Sequence, residues 1–197
     1  HNDRIGDVEF SPNGDWFATA SLDNTAKIWN TKTGILQTSI DGHSNFVRKV
    51  DFSSDSKLLL TCSDDESALV SDLSGKMQFR LELKESCIDA HFAENDTIIY
   101  TLNGRGRLSA WDATRGIKLE NYQSETSGNF NGGEFSPDGK YLAYIPAPAR
   151  QIGKPDEFAF LQNAEIYDVK SGNQLRTVPH KNITHLSWGW FSEDNKF

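Results

Sequence analysis

The sequence predicts an all-β protein built from a repeated unit of antiparallel strands, and three observations carry that expectation. Phe10, Phe52, Phe92 and Phe135 recur at steps of 42, 40 and 43 residues. A slot for an aromatic residue followed by a polar one recurs with them. It is filled by Trp29-Asn30, Ser71-Asp72, Trp111-Asp112 and Tyr167-Asp168, at steps of 42, 40 and 56 residues. A Gly-His pair, Gly42-His43, stands nine residues before Phe52, and His1 stands nine before Phe10. A unit this short cannot bury its own faces and has to stack on copies of itself.

The first unit shows how the local chemistry makes strands. The apolar run Val8-Glu9-Phe10 reaches a turn at SPNG, where Pro12 presets φ and Gly14 permits a positive one. The strand DWFATAS follows, then a turn at LDN and the strand TAKIW, which ends on Trp29.

Period, turn chemistry and markers together resemble the WD-repeat β-propeller family, whose unit of about 40–45 residues carries a Gly-His and a Trp-Asp marker. The resemblance covers essentially the whole chain. It implies an arc of four-stranded antiparallel blades, strands a to d running from the central axis outward. The blades then span residues 1–41, 42–83, 84–124 and 125–179, with the start of a fifth at 180–197.

Blade one reads IGDVEFS, WFATAS, TAKIWN and ILQTSI, with inner strands apolar or small on both faces, as in a sheet covered on both sides. Blade two reads FVRKVDFS, KLLLTCS, SALVSDL and MQFRLEL; its first turn, SSDSK, has lost both Pro and Gly, and Ser71 replaces the tryptophan. Blade three reads CIDAHFA, TIIYTLN, RLSAWDA and KLENYQ, and blade four FNGGEFS, KYLAYIP, AEIYDVK and QLRTVP. Blade four carries an excess stretch at 147–163. The turn Gly153-Lys154-Pro155-Asp156 within it predicts a drawn-out hairpin. The wide spacing from His180 to Phe191 predicts a bulge around Trp188-Gly189-Trp190. A seven-bladed ring would need roughly 290 residues, so the chain is read as part of one ring that these residues do not close.

In WD repeats, a His before strand a, a Ser ending strand b, an Asp in the next turn and the strand-c Trp form a hydrogen-bonded set. Carried over by resemblance, these are His1, Ser21, Asp23 and Trp29 in blade one, and His43, Ser63 and Asp65 in blade two. In blade three the His and Asp slots hold Leu83 and Arg105, leaving Trp111 alone. A Ser-His-Asp set invites a hydrolase reading. Its recurrence blade by blade points to structure instead, since an active site occurs once. Glu9, Asp51, His91 and Glu134 each precede a phenylalanine, which places them toward the axis, either around a cation or paired with neighbours. Asn103 to Arg107 faintly resembles a phosphate-cradling loop, but it lacks a following helix and reads as a b–c turn.

The net charge of −8 argues against nucleic acid as the default partner. Catalytic motifs of the G-x-S-x-G and H-E-x-x-H kinds are not found, and no apolar run is long enough to span a membrane. The two cysteines, Cys62 and Cys87, fall inside predicted strands and read as small buried residues. With no disulfide framework in view, a reducing compartment is expected, cytoplasmic with the nucleus as the alternative.

The resemblance implies a non-enzymatic scaffold without cofactor or metal, which docks protein partners within a multi-subunit complex. The rival is a propeller that gates an enzymatic domain, a peptidase or a nucleotide-hydrolysing switch, elsewhere on a longer chain. The partner-binding candidates are Arg105, Arg107, Arg150, Lys154, Phe158 and Phe160, which combine basic and aromatic side chains on the b–c loops.

Overall fold

The computed structural model describes residues 1–125, 130–136, 138–146 and 164–178, and among them all regular structure is strand. The first sheet holds β1 (Ile5–Phe10), β2 (Trp16–Ser21), β3 (Ala26–Asn30) and β4 (Leu36–Ile40). The second holds β5 (Val47–Phe52), β6 (Leu58–Ser63), β7 (Ser67–Asp72) and β8 (Met77–Glu82). The third holds β9 (Cys87–Ala93), β10 (Ile98–Asn103), β11 (Arg107–Asp112) and β12 (Ile117–Glu125). The fourth holds β13 (Phe130–Phe135), β14 (Tyr141–Pro146), β15 (Ala164–Asp168) and β16 (Gln174–Val178). Each sheet keeps its strands in chain order, antiparallel throughout. The fold is thus an unclosed arc of four propeller blades. The blade-four excess at 147–163, the bulge around Trp188-Gly189-Trp190 and the fifth blade lie outside the described residues.

The turns explain why hairpins form where they do. Ser11 Oγ accepts the Trp16 N–H at 3.0 Å, and Ser53 and Ser136 do the same for Leu58 and Tyr141, both at 2.9 Å. Three residues after each serine the chain needs a positive φ, which Gly14 and Gly139 supply at 74° and 68°. Blade two has no glycine there, and Ser56 takes φ 60° instead. Its hydroxyl accepts the Asn13 N–H of blade one at 3.1 Å, so a bond across the seam holds the disfavoured turn. Strand a shifts register near its start in all four blades, between Ile5 and Asp7, Val47 and Lys49, Cys87 and Asp89, and Phe130 and Gly132. Such bulges sharpen the local twist, which lets flat hairpins fan around an axis.

Each seam joins an apolar face of one blade to an apolar face of the next. Ala18, Ala20 and Ile28 of blade one receive Val50, Phe52 and Leu59 of blade two. Leu60, Cys62 and Val70 of blade two receive Phe92, Ile99 and Trp111 of blade three, and Tyr100, Leu102 and Ala110 receive Phe135 and Leu142 of blade four. The repeated phenylalanine is therefore the residue each blade offers to the one before it. Blade one leaves one apolar flank uncovered among the described residues, as expected of a ring that these residues do not close: Phe10 is 61% exposed, while Phe52 is 4%. No preceding blade stands against it among the described residues, so Phe10, Phe17 and Trp29 form an aromatic stack on an open flank.

The cysteines correct an expectation. Cys62 on β6 and Cys87 on β9 form a disulfide, with Cα atoms 5.4 Å apart. Strand b of one blade runs beside strand a of the next, which brings together residues 25 apart in sequence, a contact that spacing alone does not reveal. Cysteine usage therefore gives no ground for placing the chain in a reducing compartment.

Ser71, in the tryptophan slot of blade two, is fully packed, and its hydroxyl is the one buried side-chain oxygen without a hydrogen bond among the described residues. Ser71→Ala is expected to raise stability by about 1 kcal/mol, because it removes an unsatisfied buried group at little change in volume. A denaturant titration in which the variant is weaker than the parent by that amount would contradict this.

Candidate functional site: the loop face and the polar relays beneath it

Strand a begins, and strand b ends, on one side of the arc, where the d–a and b–c connections meet. In blade one a relay runs beneath this face. Trp29 Nε1 can only donate, so Thr19 Oγ1 accepts from it at 2.9 Å and turns its own hydrogen toward Nε2 of His1 at 2.6 Å. The His1 proton then sits on Nδ1 and is donated to the Asp23 carboxylate at 3.0 Å. Asp23 also accepts the Asn2 N–H at 2.7 Å, which ties the approach to strand a onto the b–c turn.

Blade two repeats the relay without its tryptophan. His43 bonds Thr61 at 2.8 Å through Nε2 and Asp65 at 3.0 Å through Nδ1. Asp65 further accepts from Ser67, Ser44 N–H and Arg80 at 2.6, 3.0 and 3.2 Å. Burial alone would push this carboxyl up, but those hydrogen bonds and the neighbouring His43 hold it down at about 2. Burial lowers the His43 imidazole below its usual range, against the pull of Asp65, so the ring is neutral near pH 7.

The hydroxyl that links His to Trp is a strand-b threonine; Ser21 and Ser63 stand elsewhere. They accept the Asp23 and Asp65 N–H groups, both at 3.1 Å, and donate to the Asp3 and Asn45 carbonyls. The signal for the threonines is in the sequence: Thr19, Thr61 and Thr101 recur at steps of 42 and 40, like the phenylalanines. In blade three Trp111 donates to Thr101 at 2.9 Å, with Lys118 Nζ 5.7 Å from the indole centre. Asn103, in the serine slot, holds that blade's b–c turn by accepting the Arg105 and Arg107 N–H groups at 3.0 and 2.8 Å. Gly106 completes the turn at φ 81°.

Of the partner-binding candidates, Arg105 and Arg107 are exposed on this face. Arg105 is 78% exposed and pairs with Glu85 at 3.2 Å. Arg150, Lys154, Phe158 and Phe160 lie outside the described residues.

The axis-lining acids do something their spacing does not disclose. Asp7 accepts the Val50 N–H at 3.1 Å, Asp51 accepts that of Phe92 at 2.6 Å, and Asp89 that of Phe135 at 3.2 Å. Each carboxylate satisfies a backbone donor on the inner strand of the next blade, so all three seams carry the same link. Asp51 also bonds His91 Nδ1 at 3.1 Å. Burial first, then the negative charges of Asp51 and Asp7, push the Glu9 carboxyl up to about 10, with Lys49 opposing. Glu9, Lys49, Asp51, Asp89 and His91 line an open cavity of about 310 Å³ on the axial side. The side chain of Glu134 lies outside the described residues. No group of three or more His, Cys, Asp or Glu with metal-holding geometry occurs among the described residues.

The family profile described as "WD domain, G-beta repeat" matches residues 1–30 and 34–72, the stretch that holds both His–Asp relays. Residues 1–72 carry WD repeats. Nuclear distribution protein PAC1 of Komagataella phaffii is 44% identical over 55 residues, 28% of this chain and 11% of that protein. The WD repeat-containing protein 55 homolog of Drosophila erecta is 29% identical over 115 residues, 56% of this chain and 23% of that protein. The chain thus spans less than a quarter of these relatives. Among solved structures, Kuenenia stuttgartiensis hydrazine synthase superposes with a TM-score of 0.72 at 15% identity, covering 91% of this chain and 51% of that one. At that identity the likeness is one of fold alone. The first two blades therefore stand on sequence and shape together, and blades three and four on shape. No helix among the described residues is long and apolar enough to cross a membrane.

Proposed function

We propose that this WD-repeat arc is a non-enzymatic scaffold that docks protein partners on its loop face, as a subunit of a larger complex. One observation carries the reading. The relays of blades one and two and Asn103 of blade three hold equivalent turns in a common frame, while the residue presented at one slot changes from Asp23 and Asp65, which are tied down, to Arg105, which is exposed. A rigid frame with variable exposed groups is what selective recognition needs. The rival, a propeller that gates an enzyme, has no specific support in these residues. The relatives named for nuclear distribution favour an intracellular address, cytoplasmic or nuclear.

The test is affinity capture with paired variants. Arg105→Glu with Arg107→Glu should lose at least one reproducible partner while melting as the parent does. Lys57→Glu, on the opposite side of the arc, should keep it. Equal capture by all three proteins would remove the loop face as the docking surface.

A further inference from the structure

Cys62 and Cys87 are the chain's two cysteines, and nothing in the relays or the loop face uses them. Cys62 stands next to Ser63 at the end of β6, and Cys87 opens β9, so their bond crosses the seam between blades two and three just beneath the loop face. Both residues are fully buried, among Leu60, Val70 and Leu81 of blade two and Phe92 and Ile99 of blade three. The seam between blades one and two has an apolar pair at the same place. Ala20 and Val47 hold the positions of Cys62 and Cys87, both buried in the same core cluster. Packing therefore closes this kind of seam without a covalent bond, and the disulfide is an addition to the architecture.

We propose that the Cys62–Cys87 bond is a redox latch on this seam, closed in oxidising surroundings and opened by a dithiol. In opening, one thiolate of the reductant attacks one cysteine sulfur and displaces the other as a thiolate. The reductant's second thiol then displaces the first cysteine. The dithiol ends as a cyclic disulfide, and its two electrons and two protons end on the two cysteines. The reduced residues pack as small apolar side chains, as Ala20 and Val47 do. Since neither sulfur is exposed, the reductant reaches the bond only when the seam opens, and the rate of reduction reports that opening. The latch also sets the spacing of two loop groups, the Asp65 relay and the Glu85–Arg105 pair; only that consequence rests on the loop-face reading.

The experiment compares the intact chain equilibrated with glutathione disulfide and with dithiothreitol. After oxidation, a non-reducing digest should contain one peptide that links Cys62 to Cys87. Dithiothreitol should lower Tm by about 6–12 °C, the span expected for a loop of this length in a chain of this size. Cys62→Ala with Cys87→Val, which copies the first seam, should melt at one temperature in both buffers. Absence of the linked peptide, equal Tm values for the parent in the two buffers, or an undiminished shift in the double variant would each overturn the latch. If the double variant does not fold, the digest and the parent's two Tm values still decide. Charge reversals at Arg105 and Arg107 that leave capture unchanged, with the redox shift intact, would sink the docking reading and spare the latch.

Discussion

Asp65→Ala is expected to lower stability by about 3–5 kcal/mol, the largest loss foreseen for a single side chain in the described residues. The Asp65 side chain is 1% exposed and receives hydrogen bonds from His43, Ser44, Ser67 and Arg80. Truncation leaves four donors without their acceptor, the buried His43 and Ser67 among them, so the loss exceeds the roughly 1 kcal/mol of an ordinary hydrogen bond. Arg105→Ala, in the equivalent slot of blade three, should stay within about 0.5 kcal/mol, because its ion pair is solvated. Equal shifts in paired chemical denaturation curves would count against the equivalence of the two slots.

The sign of the pH dependence follows from the same site. The Asp65 carboxyl titrates lower in the fold than its ordinary 3.8, so its contribution is present above that value and is lost as pH falls toward about 2. His43 is also held below its ordinary 6.5, so the folded state binds fewer protons there, and stability declines as pH falls through and below that value. The parent should lose stability on acidification, and Asp65→Ala should lose the acid-most part of that dependence.

Glu9→Gln should act in the opposite direction and stabilise the protein at neutral and alkaline pH. The Glu9 carboxyl is raised from 4.5 to about 10, so between those values the folded state holds a proton that the unfolded chain has released. Stability therefore falls as pH rises through this window, at a slope of up to about 1.4 kcal/mol per pH unit. Glutamine keeps a neutral donor facing Asp51 and has no proton to lose. Allowing for partial solvation, the variant should gain about 2 kcal/mol at pH 7 and nothing below pH 4. Unfolding curves of the two proteins across pH 4–9 measure the difference, and parallel pH profiles would show that Glu9 is ionised in the fold.

Much of the fold is legible in the sequence because its causes are local. The serine-led turns, the glycines at positive φ and the run lengths between them need only neighbours along the chain, so the sixteen strands among the described residues stand where spacing places them. His43 and Asp65 were legible too, through the WD-repeat resemblance that implies their pairing. The threonines were equally periodic, yet a threonine in a strand also reads as ordinary β-propensity. Only the partner on the facing strand shows that its hydroxyl accepts from tryptophan.

What crosses a seam was decided by the tertiary structure alone. Phe10 and Phe52 occupy one repeat position, yet among the described residues one is exposed and the other is buried against the neighbouring blade. Asp7, Asp51 and Asp89 each accept a backbone N–H from the next blade, a partner that no spacing along the chain discloses. The two cysteines look like separate buried thiols until β6 and β9 lie side by side. A repeating sequence determines what each blade can offer; which groups are met, and so which charges are neutralised and which thiols are joined, depends on how neighbouring blades are set around the axis.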